Sequence, residues 1–247
     1  MNKKNSISTK TLAEIGILIS IVIILSFTPL GFIPIGPIYA TTVHIPVIIS
    51  GILLGPFSGA VVGLSFGIMS MLKAIITPNV LSFINLNPIV SVLPRILIGV
   101  SAGIFYKKLC KVEIKKLKVI LSVFFVVVFS ILAISIYNNY LKGNSILGFL
   151  ILILLMIILM GFTFKANNSS DMSVVISSGI ASLVNTFFYL GFAYLFYAVE
   201  AAKAFSVTPD KALTGIMMVG VVNGAPEMIV AILLTQAIVK VAKKTRS

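Results

Sequence analysis

Residues 88–118 read PIVSVLPRILIGVSAGIFYKKLCKVEIKKLK. The first part, Pro88 to about Tyr106, is an apolar run with a single charge, Arg95. The second, Lys107 to Lys118, holds six lysines. About 20 apolar residues in helical form cross the hydrocarbon of a bilayer, and lysines gather on the cytoplasmic side of such spans. The stretch therefore predicts a membrane span that ends inside the cell. The whole chain has the same make-up: of 247 residues, 59% are hydrophobic and 10% charged, with a mean hydropathy of +1.16. A soluble domain is about a quarter charged, so too little polar surface exists here to clothe a water-soluble particle.

Working outward, eight apolar segments emerge in one transmembrane domain, 1–247. They run from about Thr11 to Phe27, Thr42 to Leu54, Phe57 to Ile76, Pro88 to Tyr106, Val119 to Tyr137, Ser145 to Phe164, Val174 to Tyr197 and Ala212 to Val239. The runs are continuous rather than alternating, which predicts an all-α membrane protein and not a β-barrel. The second segment is too short to cross unless tilted or shielded by protein, and Gly55-Pro56 hinges it to the third. Between the first two lies Thr28 to Pro37, too rich in proline and glycine to be helical; it is expected to be a loop folded over one mouth of the bundle. With the N-terminus inside, the inner side holds fourteen of the nineteen basic residues and the outer side four, Lys73, Lys142, Lys203 and Lys211. Both termini are thus expected in the cytoplasm.

The net charge of +13 does not indicate nucleic acid, because the basic residues punctuate apolar runs. One cysteine, Cys110, excludes an internal disulfide. One histidine, His44, and six acids leave little for a metal centre, so no metal and no cofactor are expected. There is no phosphate-binding G-x-x-x-x-G-K-[ST], no H-E-x-x-H and no G-x-S-x-G; a non-enzymatic role is expected, and any uphill transport needs energy from elsewhere. A membrane enzyme using His44 and Glu227 as acid and base, and a proton-coupled carrier built on Glu227, are the readings from other classes.

Charged and polar side chains at span depth are costly, roughly 2.5–3.5 kcal/mol for an arginine, and so mark function or pairing. Arg95 stands seven residues into its span, with Asn87 and Ser91 on the same face and Pro94 loosening the ladder. Ser178, Ser182, Asn185 and Tyr189 form a stripe on the seventh segment, and Asn223 and Glu227 lie a turn apart on the eighth. Two readings fit: an Arg95–Glu227 ion pair with amides bonding between helices, or a cavity in which Arg95 meets an anionic group. Depth counting puts Glu227 deeper than Arg95, more a structural partner than a ligand contact. His44 opens the second segment as an interfacial residue or a ligand contact, and Tyr39, Thr41 and Thr42 sit where they can line the mouth. Glycines 59, 63 and 67 form one small-residue ridge, and Ala13, Gly16 and Ser20 another. Each suits packing within the chain or, for the first helix, a partner membrane protein.

Taken together, the Thr41–Pro56 run, the glycine ladder after it, Asn87-Pro88, Pro94–Gly99 and Asn223–Glu227 resemble the substrate-binding S components of energy-coupling factor (ECF) vitamin transporters, especially the pantothenate-type group. The similarity covers 8–107 and 174–243. It implies a six-helix bundle that binds a vitamin on the outer face in a bacterial plasma membrane. It also implies a transmembrane T component and two cytoplasmic ATPases as partners, with Ala13, Gly16 and Ser20 docking the T component. The implied ligand is pantothenate, its carboxylate on Arg95, with Asn87, Asn185 and Asn223 as hydrogen-bonding candidates. Riboflavin, pyridoxine- or thiamine-related compounds are the alternatives, favoured by Glu227 with Tyr189 and Tyr194. Residues 111–170 depart from the family pattern and are expected to add a peripheral, lipid-facing helical hairpin.

Overall fold

The computed structural model describes residues 8–35, 38–78, 82–141, 147–164, 168–204 and 212–245. Helix α1 (Thr9–Phe27) starts at Ser8, whose hydroxyl caps the Thr11 amide. It ends before Pro29, at a short 3₁₀ turn (Pro29–Gly31). There the expected loop proves to be more ordered: β1 (Phe32–Ile35) and β2 (Ile38–Thr41) form an antiparallel hairpin with Phe32 opposite Thr41. β-Branched and aromatic residues favour a strand where proline forbids a helix. The hairpin stem is closed by the Thr42 amide on the Gly31 carbonyl at 3.0 Å and the Thr42 hydroxyl on the Leu30 carbonyl at 2.7 Å.

Helix α2 (His44–Leu54) spans only about 16 Å at 1.5 Å per residue, too short to cross the hydrocarbon. Residues His44 to Ile52 are buried without a break, so the neighbouring helices enclose it. Gly55, at φ 99°, ends α2 and Pro56 opens α3 (Pro56–Ile76), the hinge read from the sequence. A one-turn helix α4 (Ser82–Asn85) precedes α5 (Pro88–Leu109). Helices α6 (Ile114–Leu141) and α7 (Leu147–Phe164) follow. Helix α8 (Ser169–Ala204) kinks at Tyr197, and α9 (Ala212–Lys244) is the last element. Among the described residues, five helices are long and apolar enough to cross a membrane: α1, α3, α5, α8 and the 224–244 part of α9. The protein is multi-pass.

Beside a small cluster of Ile84, Val90 and Ala193, two larger apolar clusters hold the bundle among the described residues. The larger joins α1, α2, α3, α5, α8 and α9 through residues such as Val22, Ile48, Phe66, Ile98 and Ala231. The second packs Leu117, Leu121 and Phe125 of α6 and Met156 and Leu159 of α7 against Met172, Val175, Ile229 and Ile232 of α8 and α9. The α6–α7 pair is therefore peripheral, with Val119, Val123, Val126, Leu154 and Ile158 exposed on its outer side. It is not lipid-facing all round, since Leu117, Leu121 and Phe125 of α6 and Met156 and Leu159 of α7 are buried.

The glycine ladder is taken up inside the chain. Gly59 of α3 and Gly99 of α5 meet backbone to backbone, and a Cβ on either would run into the other. A Cβ on Gly63 would strike the carbonyl of Arg95 itself. Small residues thus bring α3 against the helix carrying the arginine.

Candidate functional site

Pro94 creates the local opening that Arg95 uses. A proline has no N–H, so the carbonyl four residues earlier, that of Val90, loses its helical donor. The Arg95 guanidinium supplies one: Nη1 donates to the Val90 carbonyl at 2.9 Å. Its Cζ lies 4.5 Å from the Tyr189 ring centroid on α8 and 5.5 Å from that of Phe66 on α3. Cation–π attraction to both rings adds to the hold on the guanidinium. Arg95 is only 8% exposed, and its Nε has no hydrogen-bond partner. Guanidinium has five N–H donors, so donors remain to receive an anion.

Its surroundings draw on several elements. The Tyr189 hydroxyl donates to Asn85 Oδ1 at 3.0 Å, and Ser91 Oγ donates to the Asn85 carbonyl at 2.5 Å, which pins α4 onto α5 and α8. One turn before Tyr189, the buried Oδ1 of Asn185 has no partner. His44, at the start of α2, is 1% exposed. Neither of its ring nitrogens makes a hydrogen bond. Unsatisfied buried polar groups cost about 1–3 kcal/mol each, and Arg95, His44 and Asn185 together carry four such atoms. Ser50, Thr235 and Gln236 also carry buried unpartnered atoms, farther along α2 and α9.

Glu227 has another task. Its Oε1 accepts the Thr41 amide at 2.6 Å, tying β2 to α9. The ion pair considered from the sequence is absent among the described residues, because the arginine is held by Val90, Tyr189 and Phe66.

Asn87 is the N-cap of α5, its Oδ1 accepting the Ile89 amide at 2.9 Å, so its side chain serves the helix. Asn85, unremarked in the sequence, reaches Tyr189 instead. The signal for a cap was there: asparagine before a proline at the first helical position is a standard start. Tyr39 lies on β2 and Asn223 on α9, but their side chains fall outside the described residues. Ala13, Gly16 and Ser20 are exposed along α1, and nothing lies within 4 Å of where a Gly16 Cβ would stand. Among the described residues that ridge, unlike the one on α3, packs against no other helix of this chain at Gly16.

The chain is thus a multi-pass membrane bundle in which, among the described residues, buried polar atoms of Arg95, His44 and Asn185 have no hydrogen-bond partner. Residues 10–141, just over half of the chain, match the family described as ECF transporter, substrate-specific component, and the chain belongs to that family. It is 34% identical over 84 residues to the pantothenate transporter PanT of Leuconostoc mesenteroides, covering 32% of this chain. The match spans 41% of that curated relative's length. Among solved structures, the fold is similar to that of ThiT from Listeria monocytogenes, with a TM-score of 0.51 at 18% identity, covering 96% of this chain and 94% of that one.

Proposed function

We propose that this chain captures pantothenate for an energy-coupling factor importer in the bacterial cell membrane. The observation that carries the reading is Arg95: buried, aromatic-flanked, paired with no carboxylate among the described residues and left with a free donor. A small monoanion satisfies it, and the carboxylate of pantothenate is one. Asn185 and His44 offer unpartnered polar atoms for hydroxyl and amide groups of the same ligand. The partial match to a pantothenate transporter supports this choice of vitamin.

The partners are a transmembrane T component and two ATPases, with the exposed ridge Ala13, Gly16 and Ser20 as the docking strip on α1. Both termini lie in the cytoplasm, and α6 and α7 add two crossings to a six-helix core. Titration of the purified protein with pantothenate tests the ligand directly. Micromolar or tighter binding that falls at least tenfold in Arg95→Ala is expected, since a hydrogen bond to a charged group contributes about 1.5–3 kcal/mol. Unchanged affinity in that variant refutes the carboxylate assignment. Displacement by riboflavin, thiamine or pyridoxine, and not by pantothenate, replaces the vitamin.

A further inference from the structure

The Thr41 amide has a peculiar position. The neighbouring pair Gly31–Thr42 carries the hydrogen bond that closes the hairpin stem. Pairs in an antiparallel ladder alternate, so Phe32–Thr41 is a non-hydrogen-bonded one. The N–H of Thr41 consequently points away from β1, at the open edge of a two-stranded ribbon. Such an edge donor needs a partner when it is buried in protein. The partner is Glu227, midway along α9, whose Oε1 accepts this amide at 2.6 Å.

We infer that Glu227 is a positioning residue: by accepting the Thr41 amide it holds the hairpin and the His44 turn in place over the site, without itself touching the ligand. Thr41 is followed directly by Thr42, which closes the stem, and then by the buried Val43 and His44. A hairpin that swings away from α9 therefore pulls on the short turn that leads into His44. The inference rests on the proposed site beneath the hairpin, but the tie itself exists without ligand.

Hydrogen exchange on the full-length protein in lipid nanodiscs, with no ligand added, tests the tie at the 38–44 segment. Glu227→Ala removes the acceptor, and exchange at the Thr41 amide is expected to accelerate about tenfold or more. Glu227→Gln keeps an acceptor oxygen and is expected to restore most of the protection. Pantothenate dissociation should follow the same order, fast in Glu227→Ala and close to the parent in Glu227→Gln. Unchanged Thr41 protection in Glu227→Ala overturns the inference. So does restored protection in Glu227→Gln with binding still lost, because the charge then acts on the ligand. If pantothenate does not bind the parent protein, the exchange arm still decides the tie, and only the vitamin assignment falls.

Discussion

Arg95 is held by a backbone carbonyl that Pro94 sets free and by two aromatic rings, Tyr189 and Phe66. Lysine in its place keeps the charge but loses the planar fork and the stacking. Arg95→Lys is therefore expected to weaken ligand binding about tenfold or more while the protein still folds, as read by titration and thermal melting. Asn85 and Asn87 separate two roles only two residues apart. Asn87→Ala removes a helix cap and should lower stability by about 1 kcal/mol with affinity unchanged. Asn85→Ala frees the Tyr189 hydroxyl and should weaken binding with little change in melting temperature. Equal effects of the two variants on affinity would show that the cap and the site are not separate. The proline, the arginine and the capping asparagine are all visible in the sequence. That Asn85 reaches Tyr189 is not, because the contact joins residues 104 positions apart.

At the scale of elements, the two small-residue ridges behave differently. On α3 the ridge is buried against α5, where Gly99 admits no side chain. Gly99→Val is expected to destabilise the bundle by about 1–3 kcal/mol or more through overpacking, seen as a lower melting temperature and poor recovery from the membrane. On α1 the ridge faces outward. Gly16→Leu should leave folding and ligand affinity intact, yet reduce assembly with the T component and vitamin uptake. Uptake at the parent rate in a correctly folded Gly16→Leu protein would remove α1 from the partner interface. The spacing of small residues is the same in both helices, so periodicity alone leaves packing and docking open.

For the whole molecule, the α6–α7 pair lies against α8 and α9 and leaves the Arg95 neighbourhood to other helices. Replacing residues 114–164 by a short linker uncovers Met172, Val175, Ile229 and Ile232. Lipid tails can cover those side chains again, since they are as apolar as the helices removed. Ligand affinity in a bilayer is expected to stay within about threefold of the parent, as for distant, independent changes. A tenfold loss would show that the pair supports the site.

Length, composition and the placing of lysines decide that this chain lives in a membrane and where its main helices run, because the cost of polar groups in hydrocarbon acts on each segment separately. They also single out Arg95, His44, Asn185 and Glu227, since few polar residues are tolerated at that depth. Tertiary structure decides what those residues meet: Arg95 stacks on Tyr189 instead of pairing with Glu227, and Glu227 holds the amide of a hairpin that the proline-rich sequence does not announce. Partners so far apart along the chain are chosen by helix packing and by the need to satisfy buried donors, and neither is written in local pattern.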